Sequence, residues 1–131
     1  MIKRIGLKTA GMASVIIAVI TIIIHLLVIL QIMPYTWING GRSASFEAAS
    51  QASLVSIAIL LIFSFIYLWA GQIIRITKFK RLLTVILWLM FAYACLGIVM
   101  QFLGTPFEKA VTGVLCILNA LATFRLAIEK R

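Results

Sequence analysis

An all-α integral membrane protein, built as an antiparallel four-helix transmembrane bundle with both termini cytoplasmic, is what three observations on this sequence predict. First, 64% of the 131 residues are hydrophobic and only 11% are charged, whereas a soluble domain is nearer half apolar and a quarter charged. A chain of 14.5 kDa with mean hydropathy +1.19 has too little interior for that content, because small domains bury only about 60–70% of the surface their chains expose. Second, the apolar residues gather into four runs of about 20, the length a helix needs to cross roughly 30 Å of hydrocarbon. Third, lysines and arginines divide unevenly between the links, and such asymmetry sets orientation.

The runs are 9–32, 52–74, 82–103 and 111–128, within a single domain 1–131. None alternates polar with apolar residues as a barrel strand does. The first exceeds the usual 7–15-residue apolar stretch of a cleaved signal, and Gln31-Ile32-Met33-Pro34-Tyr35 lacks a small-x-small cleavage pattern, so it is expected to be a retained span. Its Gly11, Ser14, Ala18, Thr21 and His25 are spaced three and four apart and share one helix face. In lipid, small residues that let backbones approach are what helix association relies on, so this stripe is expected to be a packing seam.

The longest connection, 33–51, passes through Asn39-Gly40-Gly41-Arg42, a sequence suited to positive φ and a tight reversal. Ser43 or Ser45 is expected to cap the second span, with Glu47 in its first turn. Tyr35 and Trp37 on this side, and Tyr67, Trp69 and Phe79 on the other, are expected at headgroup level. The second span carries Ala49, Ser53 and Ser56 near its outer end. A short basic link, 71–81, leads to the third span, whose small or polar residues are Ala94, Gly97, Gln101 and Gly104. Short links make sequence neighbours antiparallel. Thr105-Pro106-Phe107-Glu108 then reads as an N-cap, a proline at the first helical position and a capping carboxylate at the third. The fourth span repeats the small-residue series in Gly113, Cys116, Ala120, Thr123 and Ala127.

Ten of the twelve Lys and Arg lie on one side: Lys3, Arg4 and Lys8, then Arg75, Lys78, Lys80 and Arg81, then Arg125, Lys130 and Arg131. Arg42 and Lys109 lie opposite. The positive-inside rule makes the crowded side cytoplasmic. The formal charge of +9 thus faces anionic lipid headgroups, and nucleic-acid binding is not implied.

Polar residues inside spans are costly and mark candidate sites. At 1.5 Å per residue, His25 lies roughly 10 Å inside the outer boundary, Cys95 and Cys116 about 12–14 Å and Asn119 about 18 Å. One His and two Cys without a Cys-x-x-Cys pair do not assemble a zinc site, so no metal is expected. Depth alone leaves a Cys95–Cys116 disulfide open. No motif for nucleophile plus base, nucleotide phosphate or paired carboxylates occurs, so no catalytic residue and no cofactor is assigned. The outer third gathers a candidate ligand-binding cluster: His25, Asn39, Gly40, Gly41, Arg42, Glu47, Gln51 and Gln101. Gly40 and Gly41 amides beside Arg42 would suit a phosphate or carboxylate, with Glu47 pairing Arg42 when no ligand is bound.

Trp37-Ile38-Asn39-Gly40-Gly41-Arg42 after a His-bearing first span, Phe46-Glu47 opening the second, and the terminal Arg125-Leu126-Ala127-Ile128-Glu129-Lys130 resemble a group of small four-span bacterial membrane proteins, many from Gram-positive species. The resemblance spans most of the chain and implies a bacterial cytoplasmic membrane; it carries over no activity and no catalytic residue. An accessory or interaction subunit, or a bundle binding a small lipid-like ligand, is the expected function, with a membrane-protein partner or a second copy as the expected protein contacts. A small dimeric proton-coupled transporter is one alternative: the four-span multidrug exporters are similar in size, but their first-span glutamate has no counterpart here, and only His25 could replace it. A membrane-embedded enzyme acting at the outer leaflet is the other.

Overall fold

The computed structural model describes residues 1–131. It is all-α, without strands: α1 is Leu7–Ile29, α2 Phe46–Ala70 and α3 Lys80–Phe102. A π turn, Glu108–Thr112, leads directly into α4, Gly113–Ala127. All four, counting Glu108–Ala127 as one, are long and apolar enough to cross a membrane, with mean hydropathies of 2.9, 2.3, 2.4 and 1.7 over 18 residues. Ile16, Ile23, Leu54, Leu61, Leu89 and Leu96 are among the many large apolar side chains left facing outward.

Three of the four helices begin within about three residues of the expected starts, but α2 begins at Phe46 rather than 52. The Ser45 hydroxyl accepts the Ala48 amide at 3.2 Å and starts the helix there. Apolar content marks the stretch that suits hydrocarbon, whereas a helix begins where its first amides find acceptors. Glu47 lies in the first turn, as the expected Ser45 cap requires, and Gln51, expected at the end of the connection, is helical as well.

α1 packs on α2 and on α4, and α4 on α3. α2 and α3, joined by the short link, are not among the closely packed helix pairs, and they meet through side chains such as Phe63 and Tyr93. Small residues explain the central places of α1 and α4. Gly11, Ser14 and Ala18 are buried on α1, as are Gly113, Ala120, Thr123 and Ala127 on α4. At the closest approach, a Cβ on Gly11 would lie 2.8 Å from both Gly71 Cα and the Tyr67 carbonyl oxygen.

The main core lies towards the end that carries both termini, where Ala10, Tyr67, Ala70, Leu83, Leu87, Met90, Leu126 and Ala127 meet. Tyr67, expected at headgroup level, is 1% exposed. A smaller core at the loop end joins Ile24 and Val28 to Ile38 of the connection. Arginines tie the terminal end together. Arg125 Nε donates to the Ile5 carbonyl at 2.7 Å, and its Nη1 meets Glu129 at 2.9 Å. Arg131 donates to the carbonyls of Ala70 and Leu126 at 3.2 and 2.9 Å, satisfying acceptors at the ends of α2 and α4.

Candidate functional site

At the loop end the connection folds down onto the start of the fourth helix. Asn39, Gly40 and Gly41 have φ of +55°, +67° and +66°, and this reversal turns the Gly40 amide inward. There it donates to both carboxylate oxygens of Glu108, at 3.0 and 3.1 Å. The Thr105 amide donates to Oε2 at 2.8 Å, and the Glu108 amide donates to Thr105 Oγ1 at 3.2 Å, which completes the expected reciprocal cap. The Thr105 hydroxyl donates onward to the Trp37 carbonyl, and the Trp37 ring lies 5.5 Å from that of Phe107. Glu108 is 4% exposed. Part of the anion site expected at Gly40 is thus filled by the chain's own carboxylate.

The eight residues of the expected cluster have different partners and burial. Gly40 belongs to the cap, and Gly41 sits against Thr36 and Thr105. His25 is half-buried between α1 and α2, with Nδ1 3.0 Å from the Ser53 hydroxyl. Gln101 accepts the Thr112 hydroxyl beside a cavity. Asn39, Arg42, Glu47 and Gln51 are exposed. Arg42 does not pair with Glu47; the one ion pair is Arg125–Glu129. The reversal directs the Gly40 amide at Glu108, while Arg42 lies exposed on the loop.

A second feature lies between the helices, on the loop side of the main core. Where α2 and α3 part, a cavity of about 170 Å³ is lined by residues of α1, α2, α3, the π turn and α4. Its wall is mostly apolar, with Thr21, Ser56, Tyr93, Gln101, Thr112 and Asn119 among its polar members and no Lys, Arg, Asp, Glu or His. Several of these groups are already held in place. Thr21 and Ser56 return their hydroxyls to the carbonyls of Ile17 and Ala52, each at 2.9 Å. Asn119 Nδ2 donates to the Tyr67 hydroxyl at 3.0 Å, and that hydroxyl lies 3.1 Å from Thr123 Oγ1. Asn119 Oδ1 is buried without a hydrogen-bond partner, a costly condition that a donor would relieve. Across the parting, the rings of Phe63 and Tyr93 meet edge to face at 5.7 Å.

Sequence reading singled out Gln101, Asn119 and Cys116 but not their company. Thr21 belongs to the small-residue stripe of the first span and Ser56 lies near the outer end of the second, while Tyr93 and Thr112 carry no signal of their own. Cys116 lines the cavity, whereas Cys95 is exposed on α3; both thiols are free. No three His, Cys, Asp or Glu side chains converge to hold a metal ion. No protein-family model, curated protein or solved structure matches this chain.

Proposed function

We propose that the chain is a four-span protein of a bacterial cytoplasmic membrane, with both termini in the cytoplasm, whose bundle holds a small, neutral, lipid-like ligand between α2 and α3. The cavity carries this reading. It is uncharged, it combines an apolar wall with hydrogen-bonding groups, and it lies where two helices leave each other. Its size limits the occupant: an apolar cavity of about 150 Å³ takes a molecule the size of benzene, while drug-sized ligands need about 300 Å³ or more. A neutral head or a single ring fits inside, with Asn119 Oδ1 as the acceptor for its hydroxyl or amide, and the apolar remainder runs out between α2 and α3.

The geometry favours binding over proton-coupled transport. His25 is not among the cavity residues, and its Nδ1 is engaged with Ser53. Of the three acids, Glu108 is the cap, Glu129 pairs Arg125, and Glu47 is exposed in the first turn of α2. No ionisable carboxylate or imidazole therefore stands where a ligand and a proton would exchange.

The test is extraction of the protein from native membranes, followed by mass spectrometry of the small molecules retained. One neutral amphipathic species per chain is expected. Ser56→Phe, which fills the cavity from α2, should abolish its retention, and Asn119→Leu should weaken it with little change in side-chain volume. Retention of the same species by Ser56→Phe, or the absence of any such species from the wild type, overturns the proposal. A stoichiometric membrane protein in place of the small molecule would instead establish the accessory-subunit reading.

A further inference from the structure

At the terminal end, the link after α2 folds back towards the C-terminal segment. Gln72 adopts φ +60°, and Trp69 Nε1 donates to the Ile76 carbonyl at 3.0 Å, which shapes the link around a second cavity. Its volume is about 400 Å³, and Arg75, Lys80, Lys130 and Arg131 all line it. The single side-chain carboxylate in its wall, Glu129, is engaged by Arg125 at 2.9 Å.

We propose that this cavity is a binding site for a phosphate group, presented either by an anionic lipid headgroup or by a free phosphate ester. The positive-inside rule accounts for cations on this side of the membrane, but it does not require them to converge on one cavity. Lys3, Arg4, Lys8, Lys78 and Arg81 belong to the same end and line no part of it. Four cations beside one already paired acid make this wall strongly positive, and phosphate is the anion that several Lys and Arg donors match.

Arg131 supplies the independent observation. Its guanidinium is anchored on the carbonyls of Ala70 and Leu126 rather than extended into solvent, and its Nε is buried with no partner. Burial pushes this guanidinium below its ordinary pKa, with Glu129 acting in the opposite direction and Arg125 in the same one. A fixed, incompletely satisfied cation at the wall is a feature of a built site, whereas a side chain that only marks topology is free to snorkel. The Thr77 hydroxyl and Gln72 amide in the same wall add neutral partners for phosphate oxygens.

The site stands apart from the cavity between α2 and α3, so its failure would leave the proposed ligand reading intact. The full chain is placed in nanodiscs of phosphatidylcholine with and without phosphatidylglycerol, and retained lipid is read by native mass spectrometry. Glycerol 3-phosphate is titrated separately into the phosphatidylcholine discs. Arg75→Gln with Lys80→Gln removes two cations whose side chains make no ion pair in the structure. Lys3→Gln with Lys8→Gln removes the same charge from the same face, away from the cavity. One phosphatidylglycerol retained per chain, about ten-fold less in the first double variant and unchanged in the second, is expected for a lipid source. The same contrast with glycerol 3-phosphate identifies a free ester as the source. Equal loss in both double variants, or retention of neither probe, overturns the proposal.

Discussion

Glu108 links three pieces of chain at once: its own helix start, the turn before it and a glycine 68 residues earlier. Hydrogen bonds to a buried charged acceptor are stronger than neutral ones. Glu108→Gln keeps the shape but removes the charge, and is expected to cost about 1–3 kcal/mol, read as a lower unfolding midpoint in detergent. A Cβ on Gly104 would fall on Glu108 Oε2, so Gly104→Ala should displace the same carboxylate. Both substitutions break the same contact, and the double variant should therefore be less destabilised than the sum of the two singles. Arg42→Gln, at an exposed unpaired side chain, should change stability by no more than about 0.5 kcal/mol. A large Arg42 effect with a negligible Glu108 effect would contradict this account of the loop end.

At the scale of the element, the small-residue stripes are not uniform. Gly11 is held against backbone, with Gly71 Cα and the Tyr67 carbonyl 2.8 Å from where its Cβ would stand. Gly97 would meet only the Cys116 thiol, at an ordinary 3.7 Å. Gly11→Leu must push α1 and α2 apart and is expected to destabilise the pair by about 1–3 kcal/mol, as overpacking does. Gly97→Ala should be nearly neutral. Helicity followed through unfolding in mixed detergent micelles separates the two, and equal effects would show that the stripe acts as a whole rather than at a point of contact. The stripes themselves were legible in the spacing of three and four residues. Which glycine touches backbone was not, since that depends on where two helix axes come closest.

For the whole molecule, the proposed orientation places ten of twelve Lys and Arg, and both chain ends, in the cytoplasm. Reporters fused to either terminus should be active in the same compartment. On a chain with Cys95→Ser and Cys116→Ser, a membrane-impermeant maleimide should label Arg42→Cys in intact cells, and Lys78→Cys only after permeabilisation. Opposite labelling would reverse the topology and the placement of the basic cavity with it, and termini in different compartments would contradict a bundle of four spans.

Helix number, the Thr105 cap, the glycine turn and the charge asymmetry were readable along the chain, because each rests on short-range chemistry: hydrocarbon thickness, unsatisfied amides at a helix start, permitted φ, and the cost of moving cations through lipid. The destination of the polar groups was not. Gly40 offered an amide to any anion, and only the fold supplied Glu108 as the occupant. A short link sets α2 and α3 antiparallel but does not decide which helices pack closely: the small residues of α1 and α4 took the central positions and left the space in which Thr21, Ser56 and Asn119 share a wall. Sequence spacing sets the face a residue occupies on its own helix; which faces then meet depends on competition among all four helices for close contact.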